Sequence, residues 1–169
     1  LVDGARAGDD ASLAELVRRT QPAVWRLCEA LGRPEDPADL AQETYARMVR
    51  SLPAFRAEAP VEAWVLSIAR RVCADAVRKR QRQRRLLDRI ARNTPIAWAD
   101  PVLWDDSLGA LVALLHPDRR EAFVLTQELG LSYEEAAAVI GCPIGTIRSR
   151  VARARAELLD AVRRAADTA

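Results

Sequence analysis

Residues 131–158, LSYEEAAAVIGCPIGTIRSRVARARAEL, constrain this chain more than any other stretch. Ser132 stands three residues before Glu135 and ahead of an apolar run. In that S-x-x-E arrangement the hydroxyl satisfies one free helix N–H and the carboxylate reaches back to another. A helix is therefore expected from about Tyr133 through Ala136, Ala137 and Ile140. It should stop at Gly141, a residue that takes the left-handed conformation usual just past a helix end. Pro143, at or near a first helical position, starts the next one. Two helices joined so tightly form a helix-turn-helix.

The second of these helices turns by about 100° per residue, which gathers Ile144, Ile147, Val151, Ala154 and Leu158 into one packing face. Gly145, Thr146, Ser149, Ala152 and Arg153 fall opposite, and Arg148, Arg150 and Arg155 lie on the flanks. A helix read into a major groove needs this layout: small or hydrogen-bonding residues at its deepest point, and arginines alongside that reach base edges or phosphates. An isolated basic amphipathic helix is more often a solvated surface. The capped helix and short turn in front favour DNA reading.

The whole chain of 169 residues has room for one or two small domains, and two domains with separate cores are expected. Half of the residues are hydrophobic and 30% are charged, as in a soluble globular protein. The net charge of +2 conceals strong segregation. Residues 70–92 hold ten basic against two acidic groups, residues 93–118 four acidic and no Lys or Arg, and residues 144–164 six basic against two acidic. Two positive surfaces around an acidic spacer point to contact with a polyanion at two places. Only Lys79 among the 26 basic residues is a lysine, a bias that fits a GC-rich source. Cys28, Cys73 and Cys142 are far apart and form no C-x-x-C pair, so structural thiols are expected and not a zinc site or disulfide framework. No clustered metal-ligand set, catalytic constellation or glycine-rich phosphate loop is present, so no metal, cofactor or enzymatic activity is expected. His116, the one histidine, stands beside Pro117 at a helix start, where a structural role is usual. With no membrane-spanning run and no signal pattern, a cytoplasmic protein is expected. Because the chain opens on Leu1, a natural start further upstream, or trimming, is expected.

Helical spacing appears early, over residues 11–20 (Leu13, Leu16, Val17) and 22–31 (Val24, Leu27, Cys28, Leu31). Two short helices are expected, with Trp25 packed inward. Asp36 and Pro37 start a third helix. Its inner stripe is Ala41, Tyr45, Met48 and Leu52; Asp39, Gln42, Glu43, Arg47 and Arg50 face outward. After Pro53 a loop carries Phe55 to Pro60, and a long fourth helix buries Val61, Trp64, Val65, Ile68 and Val72. Its Arg-, Lys- and Gln-rich end, 78–85, can bury nothing. Aromatics beside positive charge suit unstacked bases, which need a stacking face and a backbone counter-charge. From about Leu86 to Asp106 the periodicity breaks, which predicts a linker containing Trp98 and Trp104. Helical spacing returns at Leu108, Leu111, Val112 and Leu115, and another helix runs from near Pro117 to before Gly130. No strand or hairpin signal occurs, so the fold class is all-α. The domains are 1–85 and 107–169, joined by an irregular linker at 86–106.

Three blocks in this order resemble the extracytoplasmic-function subfamily of bacterial RNA polymerase sigma factors, the small type holding only regions 2 and 4. They are DPADLAQETYARMVRSLPAFR, APVEAWVLSIARRVCADAVRKR and REAFVLTQELGLSYEEAAAVIGCPIGTIRSRVARARAEL. The short irregular linker between the second and third completes the match. It implies a region 2 helical bundle, a region 4 helix-turn-helix domain, and a role for each surface. Asp39, Leu40, Gln42, Glu43 and Arg47 match region 2.2, which holds the clamp of the largest subunit of core RNA polymerase. Phe55, Arg56, Trp64, Arg71, Asp75 and Arg78 fall in regions 2.3 and 2.4, which open the minus-ten element and trap a flipped base. Trp64 occupies the family's usual tryptophan position, and Arg71 stands where asparagine is common. Arg148, Ser149 and Arg153 match positions that read the minus-thirty-five element. Ala152 replaces an aromatic of some relatives, and Thr146, Arg150 and Arg155 complete that surface.

The resemblance further implies that double- and single-stranded promoter DNA, the polymerase clamp and the flap of the second-largest subunit are partners. It also implies a cognate anti-sigma factor, often at the membrane face, without insertion of this chain into the bilayer. The acidic linker would thread toward the RNA exit path. A free-standing helix-turn-helix regulator is the alternative, and it would leave the residue 39–47 face and the Phe55 loop without a task.

Overall fold

The computed structural model of the protein describes residues 1–91 and 108–166. Among them there are helices and turns and no strand: α1 Val2–Arg6, α2 Asp10–Leu31, α3 Pro37–Ser51, α4 Val61–Ala91, α5 Leu108–Leu114, α6 Pro117–Phe123, α7 Tyr133–Ile140 and α8 Ile144–Ala166. A 3-10 turn, Leu52–Ala54, follows α3, and a π-helical turn, Val124–Glu128, continues α6. The all-α expectation holds.

The Asp9 carboxylate accepts from the backbone N–H groups of Ala11 and Ser12 and opens α2. Two helices were expected where α2 runs unbroken through Pro22. A proline inside a helix removes one hydrogen bond and costs about 3 kcal/mol. Here both flanks bury the same stripe, Leu16, Thr20, Val24, Leu27 and Cys28, all at 2% exposure or less. That burial outweighs the penalty, since helix stability comes mostly from packing an amphipathic face. Trp25 stands about 100° from Val24 on the wheel and is 42% exposed, not buried as expected.

Asp36 accepts from Ala38 N at 2.8 Å, with Pro37 at the first helical position of α3, as the sequence predicts. Leu40, Ala41, Thr44 and Met48 form its buried stripe. Leu40 fills the space over Gly32, where any Cβ would overlap Leu40 Cδ1. α4 packs Ala63, Val65, Leu66, Ile68, Ala69, Val72 and Cys73 against α2 and α3. It continues to Ala91, so the start of the expected linker is helical. Strong helix formers (Arg, Lys, Gln, Leu) fill residues 78–87 and no Gly or Pro interrupts them, so the helix outlasts its buried face. The rest of the expected linker, with Trp98 and Trp104, lies outside the described residues.

In the second unit, α6 and α8 pack together beside α7. The two units do not keep separate cores. α4 packs on α7, α2 touches α5 and α6, and one continuous apolar cluster extends from Ala5 to Leu158. Among the described residues no helix is long and apolar enough to cross a membrane.

Candidate nucleic-acid interface

The helix-turn-helix has the geometry its residues dictate. Ser132 Oγ accepts from Glu135 N at 3.1 Å, and Ser132 N donates to Glu135 Oε2 at 2.8 Å, closing the capping box. Gly141 is left-handed at φ 79°, ψ 43°. On α8, Ile147, Val151, Ala154 and Leu158 are buried, while Arg148, Ser149, Ala152 and Arg153 are exposed and Thr146 is half-buried. Ser149 Oγ donates to the Thr146 carbonyl at 3.0 Å.

The flanking arginines divide into two kinds. Arg150 pairs with Asp118 at 3.0 Å, and Arg155 donates to Gln127 Oε1 at 2.6 Å. Arg148 and Arg153 make no side-chain hydrogen bond or ion pair among the described residues. The first two are pre-positioned by α6 and the π-helical turn; the second two are at liberty to reach a ligand.

The second surface runs along α4. Trp64, Arg71, Asp75 and Arg78 are spaced seven, four and three apart, within an arc of roughly 60° and along about 21 Å of helix. Trp64 is half-buried and the other three are exposed. Phe55, expected beside Trp64 as a stacking face, is only 7% exposed. Its ring centroid lies 4.7 Å from that of Trp64, tilted by 40°. Phe55 therefore supports the indole from below, an arrangement favourable for aromatic pairs. Above them is a hollow of about 290 Å³ lined by Phe55, Arg56, Glu58, Trp64 and Ser67, and on the far side by Ala138 and Val139 of α7.

On α3, Asp39 and Gln42 are exposed and Glu43 and Arg47 half-exposed, but Leu40 turns inward at 6% exposure. Its place one residue before Ala41 puts it on the core side of the stripe. Arg47 bridges Glu43 at 2.7 Å and Asp75 at 2.8 Å, and Asp75 also accepts from Arg78 at 2.8 Å. These two guanidinium groups, Arg47 first, hold the Asp75 carboxyl below its ordinary value of 3.8. The face on α3 and the face on α4, distinct in the sequence, are thus joined by one ion chain.

Four residues outside the expected sites also shape this region. Arg70 pairs with Glu121 across the two units, with side chains 27% and 12% exposed. Burial raises the Glu121 carboxyl against the opposing pull of Arg70. Ala138 and Val139 close the hollow. No local sequence signal marks any of the four, because each acts through a contact made more than fifty residues away.

Comparison with known proteins agrees in both halves. Family models described as "Sigma-70 region 2" and "Sigma-70, region 4" match residues 16–83 and 105–158. The chain is 43% identical over 159 residues to a "Probable RNA polymerase sigma-C factor" of Mycobacterium bovis, covering 92% of this chain and 85% of that one. It is 36% identical over 166 residues to "ECF RNA polymerase sigma factor SigE" of Mycolicibacterium smegmatis, covering 90% of this chain and 63% of that one. Among solved structures it resembles the sigma factor RpoE in complex with the anti-sigma factor NepR from Bartonella quintana. There the TM-score is 0.72 at 28% identity, over 90% of this chain and 97% of that one. It also resembles CnrH in complex with the cytosolic domain of CnrY, with TM-score 0.73 at 28% identity over 95% and 94% of the two chains.

Proposed function

Since the chain belongs to the sigma-70 family, in its extracytoplasmic-function branch, we propose a division of its work as an alternative sigma factor among three surfaces. The α8 face of Arg148, Ser149, Ala152 and Arg153 reads the minus-thirty-five duplex, with Thr146, Arg150 and Arg155 steadying the backbone. The α4 arc of Trp64, Arg71, Asp75 and Arg78, with Phe55 beneath and Arg56 beside it, captures bases of the opened minus-ten element. Asp39, Gln42, Glu43 and Arg47 meet the polymerase clamp. The chemistry of RNA synthesis belongs to the polymerase, and this chain supplies position and melting.

The observation that carries this division is the shared arc on α4. Unstacking costs a few kcal/mol per step, and stacking on an aromatic returns about 1–3 kcal/mol per base. An indole half-open to solvent, followed by Arg71 and Arg78 along the same face, provides both a stacking surface and a counter-charge for the strand. The ion chain through Arg47 makes clamp binding and base capture neighbours on one rigid support.

An anti-sigma factor is a fitting regulator, since the similar sigma factor RpoE is solved in complex with one. In such a complex the chain would be retained in the cytoplasm or at the inner membrane face. Transcription in vitro with purified core polymerase on a promoter library tests the assignment. Specific initiation should depend on this chain, Trp64→Ala should spare closed-complex formation and abolish permanganate reactivity at the minus-ten bases, and Arg153→Ala should relax upstream base preference. A chain that footprints a site alone and yields no specific initiation is a free-standing regulator instead.

A further inference from the structure

The two anchored arginines of α8 are not anchored alike. Arg148 and Arg155 are seven residues apart, which puts them about 20° from each other on the wheel and about 10 Å apart along the axis. Arg150 lies on the other side of the exposed face formed by Ser149, Ala152 and Arg153, so that face has an arginine flank at each edge. On the Arg150 flank the partner is an acid, Asp118, and the two charges offset each other. On the Arg155 flank the partner is the neutral amide of Gln127, and Arg155 makes no ion pair among the described residues. One guanidinium is held and neutralised; the other is held and keeps its charge.

The hold on Arg155 is itself fixed from the core. Residues 122–126 are all buried, and Gln127, in the π-helical turn, is the first exposed residue after them. Thr126 Oγ1 donates its one proton to the Ala122 carbonyl at 2.8 Å, so toward Gln127 it can only accept. It accepts from Gln127 Nε2 at 2.9 Å. That turns the carboxamide so that Gln127 Oε1 faces Arg155 Nη2, which donates to it at 2.6 Å. A guanidinium has only donors, so the opposite amide orientation could not hold it. π-Helical turns are rare and are frequent at functional sites; this one ends in a hydrogen-bonded arm aimed at the edge of the DNA-reading helix. A phosphate contact by a side chain already held in place gives up less rotamer freedom on binding, a gain of roughly two- to tenfold in affinity.

We propose that Gln127 is a positioning residue for duplex binding: it presents Arg155, with its charge uncancelled, to a phosphate of the upstream element. The Arg148–Arg155 flank, and not the Arg150 flank, then carries the electrostatic part of the contact. This rests on the assignment of α8 to the minus-thirty-five duplex.

The test uses the full chain and a fluorescein-labelled mixed-sequence DNA duplex, with binding measured between about 50 and 200 mM salt. Arg155→Ala should weaken binding and lower the slope of log K against log salt by about one, the share of one phosphate contact. Arg150→Ala should leave the slope nearly unchanged, because Asp118 already offsets its charge. Gln127→Leu, at an exposed position, should keep the slope and weaken binding roughly two- to tenfold. In the Arg155→Ala background it should have no further effect, an outcome that a merely structural role would not give. Gln127→Glu keeps the acceptor and cancels the charge, so its slope should fall as in Arg155→Ala. Wild-type affinity in Gln127→Leu overturns the positioning role, as does an equal loss in both backgrounds. A slope lowered as much by Arg150→Ala as by Arg155→Ala overturns the division between the flanks. Arg153→Ala separates these failures from that of the underlying assignment. Duplex binding that it leaves unchanged overturns the reading of duplex DNA by α8, whereas a loss there beside an unaffected Gln127→Leu overturns the positioning role alone.

Discussion

Gly141 and Gly145 flank the helix-turn-helix turn, and they should respond to alanine with opposite signs. At both positions an added Cβ meets nothing within 4 Å. Steric room is therefore equal, and only backbone conformation distinguishes the two. Gly141 has φ 79° and ψ 43°, where an L-residue costs about 1–2 kcal/mol. Gly145 lies in α8 with ordinary helical geometry, where alanine gains about 0.5 kcal/mol in a first turn, at the low end of the propensity difference. For a protein of this size each kcal/mol moves the melting temperature by roughly 2–4 °C. Gly141→Ala should then melt about 2–8 °C lower and Gly145→Ala about 1–2 °C higher. Gly141→Asn should recover part of the loss, because asparagine tolerates the left-handed region. Circular dichroism melts, with a calorimetric check of two-state behaviour, read all three. If Gly141→Ala matched Gly145→Ala within about 0.3 kcal/mol, the left-handed cap would not be what ends α7, and the account of the turn would be wrong.

Three further outcomes follow from the same structure. Ser132→Ala removes the acceptor for Glu135 N and should cost about 1 kcal/mol, measured by denaturant unfolding; an unchanged midpoint would mean the capping box is energetically silent. Trp25→Ala should stay within about 0.5 kcal/mol of wild type, whereas Met48→Ala, at 0% exposure, should cost about 2–5 kcal/mol. A cost for Trp25→Ala as large as that for Met48→Ala would contradict the outward orientation of Trp25 on α2. The Asp75 carboxyl should titrate below 3.8 by NMR and return partway in Arg47→Ala. Because its folded value is depressed, the stabilisation is present above 3.8 and is lost as pH falls through that lowered value. With both partners substantially exposed it amounts to about 0.5 kcal/mol, and an Asp75 midpoint unmoved by Arg47→Ala would break the proposed ion chain.

The features that could be read from the residues alone are those governed within a few positions along the chain. Asp36 before Pro37, Ser132 before Glu135, Gly141 after Ile140, and the wheel that buries Ile147, Val151, Ala154 and Leu158 all depend on neighbours one to four residues apart, and each is found as expected. The family resemblance drew on the same local patterns. Expectations failed where distant packing competes with a local rule. Pro22 signalled a break, yet the shared stripe from Leu16 to Cys28 carries α2 through it. Trp25 was assigned inward for its apolar ring, yet the core accepts the stripe one step away. Leu40, grouped with the clamp-binding residues by resemblance alone, packs inward over Gly32.

What the sequence by itself determined is therefore the set of helices, their caps, and the chemistry each exposed face offers. Tertiary structure alone decided which faces meet. Arg47 joins Asp75 across 28 positions, Phe55 lies beneath Trp64, and Arg70 finds Glu121 across 51 positions, bringing α7 over the hollow. Helix formation is local because each backbone hydrogen bond spans four residues. The meeting of faces depends on burying one continuous apolar cluster, a non-directional drive that the order of residues along the chain does not record.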